Sequence, residues 1–255
     1  MLLSEIKNAV KKATVAIVAS YPDKLPQRPF EIYGSGFCVH PEGIIVTCAH
    51  VLHAFAAPGT FEQIKKSGGA PVPVRSIVPQ VMFFAGVEGS QIIMHSVSPM
   101  TAVSAEDFDL AVLKLHKHAA FPTGYPTLPV ADYSEVHEMM EVATCGYPLG
   151  AVLHDQLGTV TSSFTKGMIS SIIPAAGVSR QHLKGFQLDL TATNGNSGGP
   201  VFSLETGNVV GVLQGGAVHP ETGHVVQGLT RAESIYPLYD LKTIDRLLQM
   251  SRPPA

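Results

Sequence analysis

An all-β fold, built as two antiparallel barrels packed side by side, is predicted by three observations. The chain of 255 residues carries 24 glycines and 19 prolines, more than a helical protein would tolerate. Its β-branched and apolar residues fall in short runs, most of them punctuated by glycine or proline. Those runs form two sets, separated by Phe121-Pro122-Thr123-Gly124-Tyr125-Pro126-Thr127-Leu128-Pro129, where three of nine residues are proline. Hydrophobic residues reach 45%, ample for a sizeable core. Charged residues are 15% and the net charge is −3 with no basic block, so a nucleic-acid partner is not indicated.

In chain order, Ser4–Lys12 reads as a short amphipathic helix with Ile6 and Val10 on one face. Thr14–Val18 is the first strand, and the proline-rich residues 21–29 form a loop. Gly34–Val39, the turn Pro41-Glu42-Gly43 and Ile44–Cys48 make a hairpin that leads directly into Ala49-His50-Val51-Leu52. A turn at Pro41-Glu42 sets Cys38 opposite Ile45 rather than Cys48. Residues 56–73 are loop-like. Strands are expected at Val81–Ala85, Gln91–Met94 and the apolar run after Asp109. The second set comprises Glu141–Gly146, Gly158–Ser163, Gly167–Ile173, Gly185–Leu190, Val201–Ser203, Val209–Gln214 and Val225–Thr230. One helix is expected over Ile235–Met250.

This divides the chain into residues 1–120, a linker at 121–130, a second unit at 131–234, and a terminal helix and tail at 235–255. The first dozen residues are broken by charge and lack an apolar leader core. No apolar run reaches the roughly 18 residues that a membrane span needs. Cys38, Cys48 and Cys145 cannot all pair internally, and free buried thiols point to the cytoplasm or another reducing intracellular compartment.

The chemistry centres on Thr193-Asn194-Gly195-Asn196-Ser197-Gly198-Gly199-Pro200. A serine is a weak nucleophile unless a base and a preorganised anion site accompany it. Two upstream stretches offer partners: Thr47-Cys48-Ala49-His50 and Asp109-Leu110-Ala111-Val112-Leu113. Asp107 competes with Asp109, but only Asp109 directly precedes the apolar strand. His53 and His116 lack the turn that His50 ends, and Cys48 reads as structural. Gly195-Asn196-Ser197-Gly198-Gly199 also fits the Gly-x-Ser-x-Gly elbow of α/β-hydrolases. That fold needs a helix next, then an acid, then a histidine. Here Pro200 and a β-branched run follow, and His219 and His224 precede Asp240.

The order His, Asp, Ser within these motifs resembles the chymotrypsin-fold serine proteases. The asparagine of Gly-Asn-Ser-Gly-Gly-Pro is similar to their HtrA/Deg branch. Gly34-Ser35-Gly36-Phe37 and Gly146-Tyr147-Pro148-Leu149-Gly150 add to a likeness covering roughly residues 14–230. The resemblance implies two six-stranded barrels and a serine endopeptidase with no metal or organic cofactor. It implies His50 as the base, Asp109 as its orienter and Ser197 as the nucleophile. The N–H groups of Gly195 and Ser197 would form the oxyanion hole. Thr191, Ala192, Gln214, Gly215 and Gly216 would line the specificity pocket. Lacking an acid at 191, that pocket is expected to take small or medium apolar residues.

Asn196 cannot make the ion pair by which secreted relatives mature, so ordering of the loops by substrate or by an activating protein partner is expected instead. His50 and Asp109 stand 59 residues apart, longer than in compact members, with the excess in residues 55–105. A peptide-binding PDZ domain is not expected after Met250, and the oligomeric state is left open. The alternative is a protease-fold binding or chaperone-like module with a silent or partner-gated site.

Overall fold

Helix α1 (Leu3–Ala13) opens the chain in the computed structural model, which describes residues 2–20, 30–56, 78–89, 91–148, 160–174, 183–219, 221–223, 225–240 and 242–250. The Glu5 carboxylate accepts the backbone N–H of Leu2 at 2.9 Å, satisfying a donor that the helix start would otherwise orphan. Ile6, Val10 and Ala13 share one helical face and are buried, while Lys11 and Lys12 in the last turn favourably meet the carbonyl end of the helix dipole. The β-branched Thr14 turns the backbone extended and starts β1 (Thr14–Ser20).

The first sheet then builds from β2 (Phe30–His40), β3 (Ile44–Cys48), β4 (Val78–Glu88), β5 (Gln91–Val97), β6 (Pro99–Ala105) and β7 (Leu110–Leu115). Its seven strands run in the order β5-β4-β1-β2-β3-β7-β6. Six strands were expected. The additional one is β6, whose Pro99-Met100-Thr101-Ala102-Val103 is half-buried to exposed and gives only a weak apolar pattern. The β2–β3 hairpin places Cys38 opposite Ile45, the expected register. Every residue of β3 and β7 is buried, as expected of central strands covered on both faces.

The second sheet is a closed antiparallel barrel ordered β10-β13-β12-β11-β8-β9. Its strands are β8 (Glu141–Gly146), β9 (Ser163–Pro174), β10 (Leu183–Leu188), β11 (Pro200–Ser203), β12 (Val209–Val218) and β13 (Val225–Ser234). Of the strand expected at 158–163, residues 160–162 are irregular and only Ser163 joins a strand, while residues 158 and 159 lie outside the described set. The loop expected at 21–29 also lies outside it, as do residues 57–73 of the loop expected at 56–73, whose first residue, Ala56, ends a helix. The proline-rich stretch is pinned to the first sheet: Tyr125 donates to the Pro41 carbonyl and Leu128 to that of Cys38, both at 2.9 Å.

The single helix expected at the end is two, α3 (Tyr236–Asp240) and α4 (Thr243–Met250). Lys242 between them has a φ of +52°, a left-handed conformation that no continuing right-handed helix contains. One core joins the sheets: Ile6 and Val10 of α1, Phe37, Val46 and Val112 of the first sheet, Phe202 and Val212 of the second, and Leu247 of α4 belong to the same buried cluster. Cys38, Cys48 and Cys145 are buried free thiols. No helix among the described residues is long and apolar enough to cross a membrane.

Candidate active site

β3 and β7 pair antiparallel from Ile44 opposite Lys114 to Cys48 opposite Leu110. The pairing sets the start of α2 (Ala49–Ala56) beside the residue preceding β7, and Ala49 donates to the Asp109 carbonyl at 3.0 Å. His50 is therefore delivered to Asp109 by strand register. Its Nδ1 lies 2.8 Å from Asp109 Oδ2, and its backbone N–H donates to Oδ1 at 2.9 Å. Asp109 adopts a φ of +48°, uncommon for a residue with a side chain and the kind of strain that collects at functional sites. Asp107 sits in the preceding 3-10 turn, Glu106–Phe108.

Burial would raise the Asp109 pKa. The His50 side-chain and backbone hydrogen bonds, the adjacent imidazole and a bond from Gln214 together outweigh it, holding the carboxyl below its ordinary value. Gln214 was read from sequence as a pocket residue. A bulge in β12 sets Leu213 opposite Ala232 and Gly215 opposite Arg231, leaving Gln214 unpaired and free to turn its side chain. Its Nε2 donates to Asp109 Oδ2 at 3.1 Å, and its carbonyl accepts the Ser197 hydroxyl at 2.6 Å. The three expected residues are thus gathered around Gln214. Among the described residues the Ser197 hydroxyl bonds to this carbonyl and not to His50.

The serine loop is held by residues of both sheets. The buried Ser35 of β2 donates its N–H to the Ser197 carbonyl and its hydroxyl to the Gly195 carbonyl, each at 2.7 Å. The same hydroxyl accepts the Tyr147 N–H at 2.9 Å. Thr193 to Asn196 closes a β-turn, with the Asn196 N–H donating to the Thr193 carbonyl at 3.1 Å and Gly195 at a φ of +97°, the value a type II turn requires at that place. The N–H groups of Asn196, Gly198 and Gly199 are consumed by Thr193, Leu213 and Asn196 carbonyls. Among the described residues, those of Gly195 and Ser197 have no partner. Asn196 is buried, its amide oxygen unpartnered among the described residues and packed where a side chain on Gly146 would otherwise sit.

Gly198 has a φ of +86°, and a Cβ there would overlap the Ser35 carbonyl oxygen and Thr47 Oγ1. Gly198→Ala is accordingly expected to cost roughly 3 kcal/mol, from the left-handed backbone and the overpacking together. Urea unfolding checks this.

Of the expected pocket residues, Thr191 is exposed, Ala192 is buried, and Gln214, Gly215 and Gly216 are half-buried. Sequence reading missed Thr230, buried opposite Gly216, whose hydroxyl donates to the Leu190 carbonyl at 2.5 Å. It also missed Glu233, 3% exposed on β13 with Oε2 lacking a partner among the described residues. Burial pushes the Glu233 carboxyl up to about 7; Arg231 and Lys184 oppose that, while Asp109 adds to it. A carboxyl raised in the folded state stabilises below its unfolded pKa and loses that contribution as pH rises through about 7. Glu233→Gln should therefore match the parent near pH ~4 and exceed it near pH ~8 by on the order of 3 kcal/mol. Urea unfolding at both pH values measures it.

Cys48 Sγ, a His50 ring nitrogen and an Asp109 oxygen lie within 4.8 Å of one another, a spacing a metal ion could bridge. Burial first, then the charge of Asp109, pushes the Cys48 thiol well above its ordinary value, and it donates to the Leu213 carbonyl at 3.3 Å. A protonated thiol is a poor nucleophile.

Residues 34–212 match the trypsin-like peptidase domain. "Serine protease HTRA2, mitochondrial" of Drosophila persimilis is 27% identical over 182 residues, 70% of this chain and 33% of that protein. The same-named protein of Drosophila grimshawi is 27% identical over the same shares. The chain therefore spans about a third of the length of these curated relatives. The crystal structure of Deg5 superposes with a TM-score of 0.59 at 18% identity, covering 93% of this chain and 90% of that one. The HtrA-type protease AlgW with decapeptide gives 0.60 at 16% identity, covering 95% and 67%. A family model spanning most of the chain places it: with a barrel and a half-barrel sheet in the chymotrypsin fold and a likeness to HtrA/Deg proteases, the chain belongs to the trypsin-like peptidase domain family.

Proposed function

We propose that the chain is a serine endopeptidase that cleaves protein or peptide substrates through an acyl-enzyme. The His50–Asp109 pair, with Ser197 joined to the same acid through Gln214, is the observation that carries this reading. In the reaction the Ser197 hydroxyl leaves the Gln214 carbonyl and turns to His50 Nε2. Its oxygen attacks the scissile carbonyl as His50 takes the proton. Asp109 holds the imidazole in the tautomer that leaves Nε2 free and stabilises the cation that forms. The unpartnered N–H groups of Gly195 and Ser197 receive the oxyanion. His50 then gives its proton to the departing amine, and water attacks the ester by the reverse sequence.

The pocket floor supports a preference for small or medium apolar residues before the scissile bond. Thr191 is uncharged, the Thr230 hydroxyl is occupied by the Leu190 carbonyl, and Gly215 and Gly216 leave one wall bare. Selectivity of this kind is loose, since a methylene discriminates by only about 1–3 kcal/mol. A peptide library dominated by Arg or Lys at that position would overturn it.

The serine parked on a carbonyl favours a gated site, so weak basal activity with a sigmoidal substrate response is expected. A fluorophosphonate probe tests the whole reading: it should attach at Ser197 and fail after His50→Ala. Labelling that never occurs, even with saturating peptide, would favour the binding-module alternative.

A further inference from the structure

Away from the serine loop, the β2–β3 turn and the segment after β7 enclose a cavity of about 390 Å³. Its lining includes Glu42, Lys114, Lys117, His118, Phe121 and Tyr125. It lies at the end of the β3–β7 pair where Ile44 faces Lys114, opposite the end that carries His50 and Asp109.

Lys114 interrupts an otherwise apolar strand and is only 6% exposed. Its ammonium donates to the Glu42 carbonyl at 2.6 Å and to the Leu115 carbonyl at 3.0 Å. An ammonium has three N–H donors, so one is left over. Among the described residues no carboxylate meets it: Glu42, the acid on the lining, is exposed and contributes its backbone oxygen instead. Buried charges are ordinarily paired. Lys117 and His118 stand on the same lining, so cationic or basic side chains outnumber the acid there.

The remaining wall is aromatic and fixed. The Tyr125 ring stacks 5.3 Å from Phe83 and lies 4.7 Å from Phe121, and its hydroxyl donates to the His116 carbonyl. A small inorganic anion would meet the ammonium but leave the half-buried Phe121 ring uncovered. A neutral aromatic would cover the rings but leave the ammonium without its counter-charge.

We propose that this cavity binds a small organic carboxylate with an aromatic body. The carboxylate takes the third N–H of Lys114, with Lys117 and His118 adding positive field. The ring lies against Phe121 and Tyr125. The volume suits such a ligand, falling in the range usual for small-molecule sites.

The test uses 3-phenylpropionate on the full chain, followed by calorimetry and by amide NMR shifts. Binding at about 0.1–1 mM is expected from a ligand of this size, with the largest shifts in residues 114–125. Acetate and 3-phenylpropan-1-ol, which each carry half of the recognised chemistry, should bind at least about tenfold more weakly. Lys114→Met should weaken 3-phenylpropionate by a similar factor. Should that variant fail to fold, Lys117→Ala and Phe121→Ala, on exposed and half-buried side chains, should each weaken binding severalfold. Equal affinity for the alcohol, indifference to all of these substitutions, or shifts confined to the serine loop would overturn the proposal.

Discussion

Ser197→Ala should lower turnover of a peptide substrate by about a million-fold, with the fold and the substrate KM little changed. The size follows from the roles acting as a unit: without the hydroxyl, the base has no proton to take and no acyl-enzyme can form. The fold should survive because the loop is held by backbone bonds. Ser35 grips the Ser197 carbonyl and the Gly195 carbonyl, and Gly198 donates to the Leu213 carbonyl at 2.7 Å. Among the described residues, the side-chain bond lost is the one to the Gln214 carbonyl. Rates from active-site-titrated preparations, beside thermal unfolding, separate the two effects. Residual turnover within about tenfold of the parent would place the nucleophile elsewhere.

Asp109→Asn is expected to reduce kcat by about ten thousand-fold. The carboxylate accepts from three donors: the His50 backbone and Gln214 amide, and the His50 ring at Nδ1. An amide has one oxygen and one NH2, so no orientation satisfies all three. When the NH2 faces Nδ1, the imidazole carries its proton on Nε2 and cannot receive one from Ser197. Asparagine tolerates the positive φ of this position, so a loss of rate here reports chemistry more than misfolding.

A stability signature accompanies it. The folded-state pKa of Asp109 lies below the unfolded value of about 3.9, so its stabilisation is present above that pH and is lost as pH falls through the folded value. The asparagine variant should lack this acid-side decline, which urea unfolding across the acid range would reveal.

The β2–β3 register, the buried strand after Asp109 and, apart from the run expected at 158–163, the positions of the strands from β7 onward were legible because their patterns are local: turn residues bounding apolar runs. The His50–Asp109 meeting was legible because it follows from two strand ends and a motif. The role of Gln214 was not, since a bulge depends on how β12 pairs with β13, and Gly215-Gly216 is its only trace in the chain. Thr230 and Glu233 escaped for the same reason: each is defined by the residue opposite it. β6 was missed because its exposed side chains carry little apolar signal, and the break at Lys242 because helical spacing continues across it. Lys114 was visible as a lysine in an apolar strand, but its burial needed the Pro41–Gly43 turn folded above it.

Ser35 ties the proposed nucleophile to the packing of the two sheets. It sits 160 residues before its partner Gly195, so this contact closes a long loop and pays for it in entropy. The strands that bring His50 to Asp109 precede the serine loop in the chain, yet the core beneath them is completed by Phe202, Val212 and Leu247 from beyond it. That loop takes part of its shape from the first sheet through Ser35. The proposed site is therefore whole only when both sheets are packed on one core.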